Sequence, residues 1–275
     1  MTDRYAVFGN PIKHSKSPQI HSAFAEQTAN ALSYDAICVD EGGFPEAVNS
    51  FMQGPGKGLN ITIPFKQEAW QMAEVRSQRA ELAGAVNTLY RNAEGQLCGD
   101  NTDGIGMVRD IVENNGGKIE GADVLILGAG GAVRGVLQPV LEQNPRRLVI
   151  ANRTASKAEL LADLVADLGD VEGCGFDALA GQQFDLVING TAASLQGEVP
   201  PLPDDLLKSA AWCYDMMYSA DVTAFCQWAQ DHNAEKAIDG LGMLVEQAAE
   251  SFYIWRGIRP ATQPVIATLR AALTP

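Results

Sequence analysis

Two groups of residues in this 275-residue chain have the types and spacing that acid/base and nucleotide chemistry require. In the first, Lys66 closes the apolar run Leu59 to Phe65, Thr62 lies inside that run, and Ser15 and Ser17 flank Lys16 upstream. The carboxyl end of a strand in an open α/β sheet is where ligands bind. A lysine there can take the hydroxyl proton of a secondary alcohol as a hydride departs. By position alone, Lys66 equally suits a surface cap on a strand. Farther on, Asn87-Thr88 and the run Gly99-Asp100-Asn101-Thr102-Asp103-Gly104 are dense in hydrogen-bonding groups. Asp103 facing Lys66 would make a charge-assisted pair that orients a substrate hydroxyl. The same run reads as readily as an Asx-rich turn with its helix cap. It falls where the chain passes between two domains, and a cleft between domains is a usual ligand site.

The second group is the turn Gly128-Ala129-Gly130-Gly131-Ala132, which follows a strand at Asp123 to Leu127 and opens a helix. Gly128 permits the tight turn, and Gly130 removes the Cβ that would block a pyrophosphate. The helix start then offers free N–H groups and a partial positive charge. Val133 stands where the usual fingerprint has a small residue. The next strand decides the nicotinamide cofactor, because an NAD site ends it in Asp or Glu roughly 20 residues after the glycines. Here it ends in Asn152-Arg153-Thr154, with Lys157 one turn on. No carboxylate repels a 2′-phosphate, two cations can pair with it, and NADP is the expected cofactor.

These residues need a scaffold of alternating strands and helices. Tyr5 to Phe8, Ser33 to Val39 and Leu59 to Phe65 read as strands, and the Ser17-Pro18 start and Phe44 to Met52 as helices. Arg147 to Ala151, Phe184 to Asn189 and Trp212 to Asp215 continue the pattern, and after Asp239-Gly240 it turns wholly helical. The expected fold is α/β with largely parallel strands in two domains. The first is a substrate domain, 1–102 with 240–275 packing back on it as helices. The second is a doubly wound Rossmann-type NADP domain, 103–239.

Composition narrows the partners. A net charge of −14 argues against nucleic acid or an anionic membrane surface. There is no apolar run of eighteen residues and no signal-peptide pattern. Five scattered cysteines without a C-x-x-C pair read as reduced thiols of a cytoplasmic protein. His14, His21 and His232 have no metal-ligand spacing, so no metal is expected, and His21 sits at a helical position that suits packing.

Eight motifs, in order, resemble the shikimate dehydrogenase family: FGNPIKHSKSP from position 8, NITIPFK from 60, AGAVNT from 83, GDNTDG from 99, GAGGA from 128, NRT from 152, YDMMY from 214 and DGLGMLVEQAA from 239. The resemblance implies reversible reduction of 3-dehydroshikimate to shikimate with NADPH by a monomer or homodimer, with Lys66 and Asp103 as the catalytic pair. It implies Ser15 and Ser17 on the substrate carboxylate and Thr62, Asn87, Asp103 and Gln247 around the ring hydroxyls. It also implies Tyr218 near the substrate and Met216 and Gly240 near the nicotinamide. A quinate/shikimate dehydrogenase with broader substrate or cofactor use, NAD included, and a non-catalytic NADP-binding sensor are the alternatives. Besides Val133, one loop departs from the family pattern: N-A-T-S-S-G-L is expected where the chain has Asn189-Gly190-Thr191-Ala192-Ala193-Ser194-Leu195.

Overall fold

Tyr5, Ala6, Val7 and Phe8 are apolar on both faces of one strand, so the strand must lie inside a sheet covered on both sides. In the computed structural model, which describes residues 2–273, it does. The chain runs β1 (Asp3–Gly9), α1 (Ser17–Gln27), β2 (Leu32–Cys38), α2 (Phe44–Gln53), β3 (Gly56–Ile61), α3 (Lys66–Met72), β4 (Val75–Arg76), α4 (Gln78–Ala83), β5 (Thr88–Arg91), β6 (Leu97–Asp100) and α5 (Asp103–Arg109), which runs on into a π-helical turn, Asp110–Asn114. The sheet order is β2-β1-β3-β5-β6-β4. Pro18 sits in the first turn of α1, where its missing N–H costs nothing, and the helix buries Ile20, His21, Phe24 and Ala25. In α2, Phe44, Val48 and Met52 recur every fourth residue and join Phe8, Leu59, Ile61 and Phe65 in one core.

Two expectations are corrected in this unit. The strand anticipated through Phe65 ends at Ile61, because Pro64 has no amide hydrogen to give a neighbouring strand. Thr62 therefore lies just past the strand, and Lys66 is the first residue of α3 rather than the end of β3. The sheet is also mixed, since β5 runs antiparallel to both β3 and β6. The β5–β6 hairpin turns at Asn92–Gln96, where the Asn92 side chain accepts from the Gln96 amide at 2.9 Å.

The second sheet is all parallel. It is built from β7 (Asp123–Leu127), α6 (Gly131–Leu141), β8 (Arg147–Ala151), α7 (Ala155–Leu164), β9 (Val171–Cys174), β10 (Phe184–Asn189), β11 (Leu207–Asp215), α8 (Ala224–Asp231) and β12 (Lys236–Ile238). Its order, β12-β11-β10-β7-β8-β9, reverses beside β7, as in a doubly wound dinucleotide fold. Val124 to Leu127 and Leu148 to Ala151 are buried on both faces, as internal parallel strands require. Helices α9 (Leu241–Arg256) and α10 (Gln263–Leu273) end the chain.

The chain divides into two units: residues up to Gly106 with Val245–Val265, and Met107–Leu244 with the residues from Ile266 on. Helix α9 returns to the first unit, where Trp255 stacks on Tyr5 at 4.7 Å and its Nε1 donates to the Leu89 carbonyl. The borders differ from the expected 102/103 and 239/240. Residues 103–106 stay with the first unit, where Asp103 is bonded to Lys66 and Asn87. Residues 240–244 and the stretch from 266 stay with the second, where the Gly240 amide donates to the Met217 carbonyl and Arg270 pairs with Asp239.

Candidate active site

In the first unit, Lys66 and Asp103 are 37 residues apart in sequence and their charged ends meet, Nζ to Oδ2 at 2.5 Å. The pair is partly open, with the lysine side chain 30% and the aspartate 16% exposed. The other Asp103 oxygen accepts from Asn87 Nδ2 at 2.8 Å, and the same nitrogen reaches Gln247 Oε1 at 3.4 Å. Four of the expected substrate-side residues, Lys66, Asn87, Asp103 and Gln247, thus form one bonded group. Ser15 and Ser17 are also brought together, since the Ser17 amide donates to Ser15 Oγ. Thr62 is half-buried just beyond β3, its methyl against Gly9.

Asp103 is held by its own loop. Asp100 accepts from Nε and Nη2 of Arg79 at 2.7 and 2.9 Å, from the Ser77 hydroxyl and from the Asn101 amide. Asn101 in turn accepts from the Asp103 amide and donates to the Ala85 carbonyl. The loop is pinned at both ends before the carboxylate leaves it, which is how a charged side chain acquires one geometry.

The second unit carries the nucleotide half. Gly128 has φ +105°, a conformation that a side chain would strain, and its amide donates to the Ala151 carbonyl at 2.8 Å. A Cβ on Gly130 or Gly131 would meet nothing within 4 Å, so the space over the turn is open. Helix α6 has no side-chain cap and no acidic residue in its first turn. Exposed N–H groups at a positive helix end fit an anion such as a dinucleotide pyrophosphate. After β8, Asn152 donates to the Thr154 carbonyl and shapes the turn, and Arg153, Thr154 and Lys157 are exposed. The first turn of α7 holds no acidic side chain, which fits a 2′-phosphate beside Arg153 and Lys157. Ala129 lies in the turn, and Ala132 is an exposed residue of the first turn of α6.

Met216 is buried, and its carbonyl lies 2.4 Å from where a Cβ on Gly240 would stand, so these two expected cofactor residues are neighbours. Tyr218 is half-buried in this unit, with its pKa raised by burial and by the charge of Asp239.

The two departures from the family pattern meet in space. A Cβ on Gly190 would stand 2.4 Å from Val133 Cγ2 and 3.2 Å from both the Leu127 carbonyl and Met216 Sδ. The branched residue in the glycine loop is accommodated because the facing residue is bare.

Sequence reasoning missed Asn60 and Ser251, which join Thr88, Thr102, Tyr34 and His21 in a buried polar set behind the pair. Asn60 within an apolar strand was the available signal. Its partner Ser251 lies 191 residues away, and nothing local announces such a contact.

A nucleotide-type doubly wound domain joined to a unit with a lysine–aspartate pair defines the class: a dehydrogenase of the two-domain α/β type. Residues 7–89 match the shikimate dehydrogenase substrate binding domain, 110–196 the shikimate / quinate 5-dehydrogenase model and 240–270 the shikimate 5'-dehydrogenase C-terminal domain. The chain belongs to the shikimate dehydrogenase family. The shikimate dehydrogenase (NADP(+)) of Alkalilimnicola ehrlichii is 59% identical, over 98% of this chain and 99% of the relative, and that of Cellvibrio japonicus is 59% identical over 99% of each. Among solved structures, an Ael1 enzyme from Pseudomonas putida has a TM-score of 0.94 at 46% identity, covering 100% of this chain and 99% of that one. The shikimate 5-dehydrogenase of Thermus thermophilus, solved with NADP(H) and shikimate, has a TM-score of 0.86 at 29% identity, covering 99% of this chain and 100% of that one.

Proposed function

We propose that the chain catalyses the reversible, NADP-dependent reduction of 3-dehydroshikimate to shikimate, with Lys66 and Asp103 as its acid/base pair. The observation that carries the assignment of roles is the 2.5 Å contact between Lys66 Nζ and Asp103 Oδ2 in a partly open position. Bound NADPH supplies the hydride to the ring carbonyl carbon. Lys66 delivers a proton to the oxygen that becomes the hydroxyl, and in oxidation it takes that proton back. Asp103 holds the ammonium in place and accepts from a neighbouring ring hydroxyl. Ser15 and Ser17 offer hydroxyls to the substrate carboxylate, Thr62, Asn87 and Gln247 bind ring hydroxyls, and Tyr218 is assigned to the substrate by the family resemblance. Gly128 to Ala132 receive the pyrophosphate, Asn152 to Thr154 with Lys157 the 2′-phosphate, and Met216 and Gly240 the nicotinamide end.

On this reading the first unit is the substrate domain and the second the NADP domain. Five cysteines without a disulfide suit a reducing, cytoplasmic location. Whether the working form is a monomer or homodimer is read directly by light scattering.

Purified protein with NADP and shikimate is expected to generate nicotinamide absorbance at 340 nm. Quinate and NAD, tested in parallel, are expected to be poor substitutes. In Lys66→Met, kcat is expected to fall by about 10²–10⁴-fold with a much smaller change in KM, as when a proton-transfer group is lost. Turnover near that of the unmodified protein in this variant would remove the lysine from the chemistry.

A further inference from the structure

Behind Asp103, four successive hydrogen bonds run in one direction through the interior of the first unit. Asn60 is 6% exposed, and its Nδ2 faces three oxygens: the Asn87 carbonyl at 3.1 Å, Ser251 Oγ at 3.0 Å and Thr88 Oγ1 at 3.3 Å. The backbone carbonyl can only accept, so the nitrogen must lie on that side. Asn60 Oδ1 then faces Tyr34 OH at 2.7 Å and His21 Nε2 at 3.1 Å, and both must donate.

This assignment fixes the tautomer of His21. With hydrogen on Nε2, the other nitrogen carries a bare lone pair, and Nδ1 of His21 is among the buried side-chain atoms that find no partner within the described residues. Burial, partly opposed by the Asn60 contact, pushes the imidazole down to about 3 and keeps it neutral.

From Asn60 the direction is passed on. Thr88 Oγ1 lies 3.3 Å from Nδ2, the longest of its three contacts, and donates its own hydrogen to Asn87 Oδ1 at 2.8 Å, with Ser251 Oγ as a further hydroxyl neighbour at 2.7 Å. The Thr102 amide donates to the same oxygen at 3.0 Å. With its oxygen occupied by donors, the Asn87 amide must turn its nitrogen to Asp103 Oδ1, leaving Oδ2 for Lys66. A flipped amide would set oxygen against carboxylate.

We propose that Thr88, Asn60 and Tyr34 are positioning residues, which polarise this chain so that Asn87 donates to Asp103 and holds the carboxylate in register with Lys66. The proposal rests on Lys66 and Asp103 being the acid/base pair. Satisfied chains of this kind strengthen each link by polarisation, and losing a link frees the groups beyond it.

The test removes one hydroxyl without changing shape. Thr88→Val is expected to lower kcat about tenfold with the KM for NADP unchanged, since the nucleotide residues are untouched. Thr88→Ser, which keeps the donor, is expected to stay within about twofold of the parent. Tyr34→Phe, which leaves His21 as the one remaining donor to Asn60 Oδ1, is expected to lower kcat about threefold; it carries the test if Thr88→Val does not fold at the assay temperature. Asp103→Asn is measured in the same series. An active Asp103→Asn would overturn the acid/base reading itself. An inactive Asp103→Asn beside full turnover in Thr88→Val would overturn the positioning role alone. So would a Thr88→Ser loss equal to that of Thr88→Val, or losses that vanish once rates are corrected for the folded fraction.

Discussion

Val133 and Gly190 gain meaning only as a pair. Each breaks a pattern by itself: a branched side chain where a small one is usual, and a glycine where alanine is expected. The 2.4 Å approach between Val133 Cγ2 and a Cβ on Gly190 makes each the condition of the other. Gly190→Ala is expected to cost about 1–3 kcal/mol through overpacking against Val133, which is fully buried. Adding Val133→Ala should relieve most of that cost, giving a coupling of about 1 kcal/mol in a double-mutant cycle followed by urea unfolding. Additive losses would mean that the two residues do not share the space. The thiols read differently at this scale: burial raises Cys213 to about 12 and Cys226 to about 11, so neither is a nucleophile at neutral pH.

At the scale of elements, a buried bond ties the π-helical turn Asp110–Asn114 to the second sheet, Tyr214 OH to Asp110 Oδ2 at 2.7 Å. Tyr214 is fully buried at the end of β11, and Asp110 is 2% exposed. Tyr214→Phe keeps the ring and removes the donor. It is expected to lower stability by about 1–3 kcal/mol, measured by urea denaturation, while the far-ultraviolet spectrum stays unchanged. A midpoint equal to that of the parent would show that the turn is held by its other contacts. Local pattern marked several elements closely: Asp123–Leu127, Arg147–Ala151 and Phe184–Asn189 match their strands residue for residue. It misplaced the end of β3, where Ile63 continues the apolar alternation but Pro64 cannot pair. It also left β5 and β6 unread, because four-residue strands hold too few positions to show a period.

For the whole molecule, the buried neutral imidazole of His21 predicts a pH dependence of stability. Its folded pKa lies near 3 against 6.5 in an open chain. Between those values the unfolded chain binds a proton that the folded protein refuses, so stability present above pH 6.5 drains away as pH falls. By pH 5 the loss from this group is about 2 kcal/mol. His21→Gln keeps a donor for Asn60 and cannot be protonated. It is expected to be less stable than the parent at pH 7 but to lose about 2 kcal/mol less between pH 7 and pH 5, as read by urea midpoints. Parallel pH curves for the two proteins would remove His21 as the source.

What the sequence determined by itself is whatever adjacent residues encode. Alternation and four-residue spacing place strands and helices, a glycine turn between strand and helix prepares an anion site, and Asn152-Arg153-Thr154 without a carboxylate disposes that site toward NADP. Candidate side chains such as Lys66 and Asp103 could be named, but by position alone they suited a surface cap or an Asx turn as readily. Only the tertiary structure decided which of them meet. Lys66 reaches Asp103 across 37 residues, and Asn60 reaches Ser251 across 191. The fit of Val133 over Gly190 was settled there too. Such contacts follow from strand order and from the return of α9, and no short stretch of sequence records where the chain will come back.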